Sequence, residues 1–252
     1  MALSKTIEHQ LNHRTYRELV DEPLDPQIIH ELLEVARQTA TSTGKQQASI
    51  IRVTDPELKK EIAKVSNQEY VGRSPELWIF IVDIARNAQI AEEHGMSVDK
   101  AINTSRFFAG YADAVLMVQN VYNAVESLGL GGVILASILN DVDRIIELLQ
   151  LPKYTYPALG LSFGKPNQNP QLKPRMDMKF RVFENSYKTI DKISEALADY
   201  DEVMTQYYDL RDANRRVDSF TQQVLTSFEE DSSKRQRNLE IAKAQGFNFD
   251  VE

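Results

Sequence analysis

The chain has 252 residues, 42% hydrophobic and 26% charged, enough for one large domain or two small ones around a sizeable core. It contains no cysteine, which excludes disulfides, thiolate nucleophiles, zinc ribbons and cysteine-ligated iron–sulfur clusters. Twenty-nine lysines and arginines against 37 acids give a net charge of −8, which disfavours nucleic acid as a partner because its backbone needs a basic surface.

The longest apolar run, residues 77–82, is strand-sized and far short of the ~20 residues of a membrane span. The first eight residues meet a charge too early for the apolar core of a signal peptide, so the cytoplasm is the expected compartment and no membrane partner is expected.

In chain order, residues 4–12 read as a short helix, with Ile7 and Leu11 four apart. A polar knot, His13-Arg14-Thr15-Tyr16-Arg17, follows. Pro26 opens a helix at its first turn, a favoured place for proline, with an apolar stripe from Ile28 to Ala36. This helix runs into the small, polar segment 39–47. Residues 48–54 read as a strand, and Asp55-Pro56 starts a helix to about residue 66. Residues 77–82 are β-rich and unbroken, the pattern of a central strand buried on both faces.

A long helix is predicted over 106–128, carrying Phe107, Tyr111, Ala114, Val118, Val121, Tyr122 and Val125 at helical spacing. Apolar over much of its surface, it belongs at the centre, and it ends at Gly129. Asp141-Val142-Asp143 begins another helix, and residues 156–163 read as a strand. Pro166, Pro170 and Pro174 break regular structure over 165–177. Residues 186–245 are mostly helical and charged, with a stretch at 207–218, rich in arginine and aspartate, that reads as mobile surface. No early strand runs into the glycine-rich turn that a doubly wound nucleotide fold requires. The reading is α+β, a sheet covered by helices.

Five constellations bear chemistry. His13-Arg14-Thr15-Tyr16-Arg17 sets two arginines three apart with a hydroxyl between them, which suits an oxyanion and equally a solvated loop paired with Glu18 and Asp21. Thr41-Ser42-Thr43-Gly44 offers hydroxyls and a glycine to a phosphate or ring edge, or is an ordinary helix-to-strand loop; its lysine is out of frame for a P-loop. In Gly129-Leu130-Gly131-Gly132, one glycine serves a left-handed helix cap and the surplus lets backbone approach a ligand. Lys173-Pro174-Arg175 is a stiffened basic turn, with solvation as the simpler reading. Arg211, Arg215 and Arg216 make a basic spot that suits a nucleotide phosphate or a charged helix surface.

The four histidines, His9, His13, His30 and His94, have no metal-ligand spacing, and no G-x-S-x-G elbow is present. Dispersed arginines without a catalytic triad point to a bound phosphorylated cofactor that carries the chemistry itself.

In this order, the segments resemble the FMN-dependent nitroreductase family, and within it the larger NADPH-preferring branch of flavin oxidoreductases. The resemblance covers nearly the whole chain. It rests on His13–Arg17, Ala48-Ser49-Ile50-Ile51-Arg52-Val53, Asn67-Gln68-Glu69-Tyr70-Val71, Glu126-Ser127-Leu128-Gly129-Leu130-Gly131-Gly132, and residues 164–175.

It implies a mostly antiparallel sheet flanked by helices in an intertwined homodimer. Residues 1–185 would form the FMN-binding core and 186–252 a helical excursion of the same domain. Carried over by position, His13, Arg14, Thr15 and Arg17 would bind the flavin at phosphate and ring, and Lys173 and Arg175 would also reach the phosphate. Thr41, Ser42 and Thr43 would supply hydroxyl contacts, and Gln68 and Tyr70 would lie against the isoalloxazine. Gly129, Leu130 and Gly132 would line the flavin, with the Gly131 N–H at flavin N5. Arg211, Arg215 and Arg216 would grip the NADPH 2′-phosphate.

The activity implied is ping-pong transfer of hydride from NADPH to FMN and on to a nitroaromatic, a quinone or free flavin, with no side-chain acid or base required. A flavin-binding sensor or storage protein of the same fold is the alternative. Two departures stand out. Thr15 replaces the family's serine, and residues 133–140 lack the Tyr, Gly and Arg usual in the branch, which leaves the acceptor open.

Overall fold

The computed structural model describes residues 4–207, 217–229 and 233–250. The elements run α1 (Lys5–Leu11), α2 (Pro26–Arg37), β1 (Ala48–Val53), α3 (Pro56–Ser66), β2 (Glu76–Asp83), α4 (Ala85–Glu93), α5 (Thr104–Ser127), β3 (Gly131–Leu135), α6 (Val142–Leu148) and β4 (Thr155–Gly164). Then come α7 (Ile193–Ala196), α8 (Ala198–Gln206), α9 (Phe220–Glu229), α10 (Ser233–Gln236) and α11 (Asn238–Ala244). Short 3-10 turns occupy Glu69–Arg73, Ala136–Asn140 and Met178–Phe180.

Local chemistry sets the helix ends. The Asp25 and Asp55 carboxylates accept from Gln27 N and Glu57 N, each at 2.8 Å, and a proline follows each aspartate. The Asn103 side chain caps α5 through Arg106 N at 3.0 Å. At its far end Gly129, with φ of +73°, closes a Schellman motif in which Leu130 N reaches Val125 O and Gly129 N reaches Glu126 O.

The four strands are antiparallel in the order β1-β2-β4-β3. As expected, β2 is central and buried on both faces. Its side chains alternate. Trp78 and Phe80 pack with Ile29 and Leu32 of α2 and with Ala114, Val118, Val121 and Val125 of α5. Leu77, Ile79 and Ile81 pack on the other side with Ile62 of α3 and Ile145 of α6. Phe80 faces Leu159 and Ile81 faces Pro157, so Ala158 is the extra residue of a bulge. Pro157 sits beside it, beyond the reach of β3, where a missing N–H is tolerated. At the other end of β2 the buried Glu76 carboxylate accepts from Trp78 Nε1 at 2.9 Å and from Arg52 Nε at 2.7 Å.

By contacts the chain divides into two compact units. Met1–Leu11, Thr15–Gln168 and Ser232–Glu252 form the first, and Asn12–Arg14 with Asn169–Asp231 the second. The first holds the sheet and its core. Its last segment is anchored by Asn248 N to Ile102 O at 2.7 Å and by the Phe247 ring, 4.9 Å from that of Phe107. The second holds α7 to α9, where the Tyr200 and Phe220 rings meet tilted at 52° with centroids 5.5 Å apart and Thr221 N donates to Asp201 at 2.9 Å. This division falls after residue 168 and returns the last segment to the first unit. No described helix is long and apolar enough to cross a membrane.

Helix α5 approaches the sheet closely at Gly110, where a Cβ would lie 2.7 Å from Val82 Cγ1 and 2.9 Å from the Gln47 carbonyl. Overpacking against backbone costs about 1–3 kcal/mol, against about 1 kcal/mol that alanine gains over glycine inside a helix. Gly110→Ala is therefore expected to destabilise the protein by up to about 2 kcal/mol net in urea unfolding. Unchanged or raised stability would mean that α5 can move off the sheet.

Candidate functional site

The hydroxyl-rich loop between α2 and β1 is held from several sides. Both oxygens of the buried Asp113 carboxylate, on α5, accept from it: Oδ1 from Ser42 N at 2.7 Å and Oδ2 from Gln47 N at 3.0 Å. From α4, Arg86 donates to the Gln46 carbonyl and Asn87 Nδ2 to the Lys45 carbonyl. Gly44 and Gln46 take left-handed φ values of +68° and +50°, which turn the chain tightly.

The Thr41 hydroxyl serves this turn by accepting from Gly44 N at 3.1 Å, while Ser42 and Thr43 are exposed. Ser42 Oγ makes one long bond to the Ala109 carbonyl, at 3.4 Å. At the loop's end the Gln47 side chain is fully buried, and its Nε2 has no hydrogen-bond partner among the described residues. Its Oε1 accepts from Arg106 Nη1 of α5 at 3.4 Å, so the amide serves the packing between the loop and the helix.

The glycine run lies where α5 hands over to β3. Gly129 is the helix cap. A Cβ on Gly131 would sit 2.5 Å from Tyr16 Cγ, and one on Gly132 2.5 Å from the Ser162 carbonyl. The surplus glycines thus have a packing cause: they admit the Tyr16 ring on one side and β4 on the other. The Gly132 carbonyl accepts from Tyr16 N at 2.8 Å and from the Tyr122 hydroxyl. Burial pushes the Tyr122 phenol well above the usual range, so it stays a neutral donor. Four residues on, Val20 N donates to the Lys165 carbonyl at 2.9 Å. Thr15 and Arg17, which flank Tyr16, are thereby fixed beside the glycine run, and both are half-buried.

Gln68 opens the 3-10 turn after α3, and Asn67 makes the left-handed exit from the helix, with φ of +52°. The Gln68 Oε1 accepts from Tyr70 Oη at 2.7 Å and from Ser137 Oγ at 3.2 Å, which orients the amide. A cleft of about 850 Å³ runs alongside, lined by Lys60, Lys64, Asn67, Gln68, Glu69 and Arg73 among others. Its cations are paired, Lys60 with Glu57 and Arg73 with Glu18, both at 2.7 Å.

In the second unit, His13 and Arg14 fall together with Lys173 and Arg175 despite their distance in sequence. The Arg14 Nη1 donates to the Asn12 carbonyl at 3.0 Å. The Arg175 Nη1 donates to the carbonyls of Lys173 and Pro174 at 3.0 and 3.3 Å, which orients the guanidinium without neutralising it. Such a donor set fits an anion. Among the described residues, no group of His, Asp and Glu is placed to hold a metal ion. Arg211, Arg215 and Arg216 lie outside the described residues.

Sequence reasoning missed Asp113, Tyr16 as a wedge, and Ser137. Only Asp113 had a visible signal, an acid on the apolar face of the long helix.

Each unit, taken by itself, presents hydrogen-bond donors, and comparison with known proteins shows the family. The nitroreductase family model matches residues 11–165, and the model of the family's C-terminal domain matches residues 173–250. The chain is 36% identical over 223 residues to the oxygen-insensitive NADPH nitroreductase of Salmonella typhimurium, covering 88% of this chain and 90% of that one. It is 34% identical over 249 residues to the FMN reductase (NADPH) of Bacillus subtilis, covering 98% and 99%. The solved NfrA1 nitroreductase of B. subtilis superposes with a TM-score of 0.88 at 34% identity, over 97% of this chain and 99% of that one. Matched by family models along most of its length, the chain belongs to the nitroreductase family.

Proposed function

We propose that the protein is an FMN-dependent NADPH oxidoreductase, acting as a cytoplasmic homodimer that delivers electrons to small acceptors such as a nitroaromatic, a quinone or free flavin. The observation that carries this reading is the pair of preformed elements in the first unit: the clamped hydroxyl loop, and the glycine strand wedged by Tyr16. Both occur in a chain that matches an NADPH-dependent FMN reductase end to end.

Bound FMN would supply the redox chemistry between NADPH and the acceptor. The chain's part is to bind, orient and polarise. His13, Arg14, Lys173 and Arg175 supply charge-assisted donors to the phosphate. Thr15, Thr41, Ser42 and Thr43 supply hydroxyls. Arg17 adds positive charge that favours the reduced cofactor. The Gly131 N–H would orient N5, and Gly129, Leu130 and Gly132 would line the ring with backbone. Gln68 and Tyr70 offer a rigid polar face to the isoalloxazine. Arg211, Arg215 and Arg216 discriminate NADPH by its 2′-phosphate. No residue has to transfer a proton.

The dimer is supported by the outer face of α5. Phe108, Val115 and Leu116 are 62%, 37% and 47% exposed and align with Ala112 in one apolar stripe on the longest helix. An apolar face of this kind seeks a partner, and a second copy is the occupant proposed.

The direct test is an anaerobic absorption spectrum before and after one equivalent of NADPH. A flavin band that bleaches is expected, followed by steady turnover with menadione. Flavin that bleaches without turnover would favour a sensor or storage role, and a colourless protein that takes up no FMN would refute the reading.

Arg215→Ala with Arg216→Ala should weaken NADPH selectively. A charge-assisted phosphate contact is worth about 1.5–3 kcal/mol, so the KM for NADPH should rise tenfold or more while that for NADH barely moves. An equal effect on both would assign those arginines elsewhere.

Gly131→Ala drives a methyl into the Cγ, Cδ2 and Cβ atoms of Tyr16, at 2.5 to 2.9 Å. These atoms lie near the backbone and cannot swing away, so the flanking Thr15 and Arg17 must shift. FMN affinity by fluorescence titration is expected to fall about tenfold or more, the equivalent of ~1.4 kcal/mol. Unaltered affinity would detach this segment from the flavin.

A further inference from the structure

We propose that Asp113 is a positioning residue that holds the 41–47 loop in its binding conformation before the cofactor arrives, acting through the main-chain N–H of Ser42. The inference rests on the flavin reading above, because it concerns the loop that carries the hydroxyl contacts.

Asp113 lies on the buried face of α5 at 1% exposure, one turn beyond Gly110 and next to Ala114, which is fully buried. Nothing in local packing calls for a carboxylate there. A buried charge is costly unless its oxygens are bonded, and aspartate is a poor residue for a helix interior. Both oxygens are bonded, and both bonds go to the loop: Ser42 N at 2.7 Å and Gln47 N at 3.0 Å.

The two donors differ in mobility. Gln47 is already tied to the sheet, since its carbonyl accepts from Asp83 N at 2.9 Å and Ala48 begins β1. Ser42 is at the exposed start of the loop. The carboxylate therefore joins the exposed start of the loop, where Ser42 Oγ otherwise makes only the long 3.4 Å bond to the Ala109 carbonyl, to its fixed end. Arg86 and Asn87 of α4 hold only Gln46 and Lys45, on the far side. They do not reach Ser42.

The close approach at Gly110 brings this about, because α5 must lie against the Gln47 carbonyl for residue 113 to reach both amides. Ordering a loop in advance spares binding that entropic cost, so the clamp should appear as cofactor affinity and not only as stability.

The test is a double-mutant cycle on FMN affinity, read by fluorescence titration well below the melting temperature, together with the melting temperature of the apoprotein. Asp113→Asn keeps the shape but turns one acceptor into a donor facing an N–H. It should weaken FMN tenfold or more. Ser42→Ala should weaken it as well, and the double variant should lose clearly less than the product of the two single losses. A lowered apoprotein melting temperature with wild-type FMN affinity, or losses that multiply, would make Asp113 a stability residue and overturn the proposal.

Hydrogen exchange on the wild-type apoprotein gives a second reading that needs no variant. The Ser42 and Gln47 amides should be protected without FMN. Exchange of Ser42 at the unfolded-chain rate would overturn the clamp even if Asp113→Asn fails to fold. A wild-type chain that takes up no FMN would overturn the flavin reading instead, whatever the amides do.

Discussion

Helix α5 and strand β2 lie so close at residue 110 that a single methyl group does not fit between them. Much of the first unit follows from this contact. It presses Ala114, Val118, Val121 and Val125 onto Trp78 and Phe80. One turn along, it sets the Asp113 carboxylate against the loop before β1. At the far end of the helix the Schellman cap at Gly129 turns the chain, and β3 starts two residues later, so the register of β3 against β4 is set from the same helix. The two pieces of candidate binding surface in this unit are thus spaced by one rigid rod of 24 residues, with the hydroxyl loop near its N-terminal half and the glycine strand at its C-terminal end.

The regular elements were legible because their signals are local. The run 77–82 has no polar interruption, so both faces had to be buried, and β2 is buried on both. Pro26 and Asp55-Pro56 marked helix starts, and the Asp25 and Asp55 carboxylates cap them. The expected strand at 156–163 is present, but its bulge at Ala158 was not foreseeable, since a bulge is a property of the pairing and not of one strand. Helix α4 escaped notice: its sequence ARNAQIAEE has a weak apolar stripe, and only Ala88 is buried. β3 was hidden by its own glycines, which read as loop and carry no β-propensity.

The site was legible in its residue types and much less in its causes. Gly131 and Gly132 stood out as a surplus, and close approach of a ligand was the reason given. The structure supplies a second reason within the chain, because Tyr16 and β4 already occupy the space where the two Cβ atoms would be. Sequence cannot choose between these reasons, since a missing side chain records only that something is near. The same limit applies to Arg175, Lys173, His13 and Arg14: their charge was visible, but their membership of one compact unit depends on where the chain divides.

The two reasons for the glycines are not rivals. A ring packed on Gly131 and an N–H bonded to the Gly132 carbonyl make Tyr16 a wedge with two points of attachment, and the Tyr122 hydroxyl adds a third support from beneath the strand. A wedge held at both main chain and side chain fixes the backbone on either side of it, which here means Thr15 and Arg17. Two cations at positions 14 and 17 on a free loop would sample many arrangements, and ordering them would consume part of any binding energy. With the residue between them locked to β3, Arg17 has its backbone set in advance by apolar packing, an interaction that salt does not screen. A net charge of −8 leaves the chain poorly suited to attract an anion at long range; in the proposed reading, local packing offsets this at short range by holding the donors still.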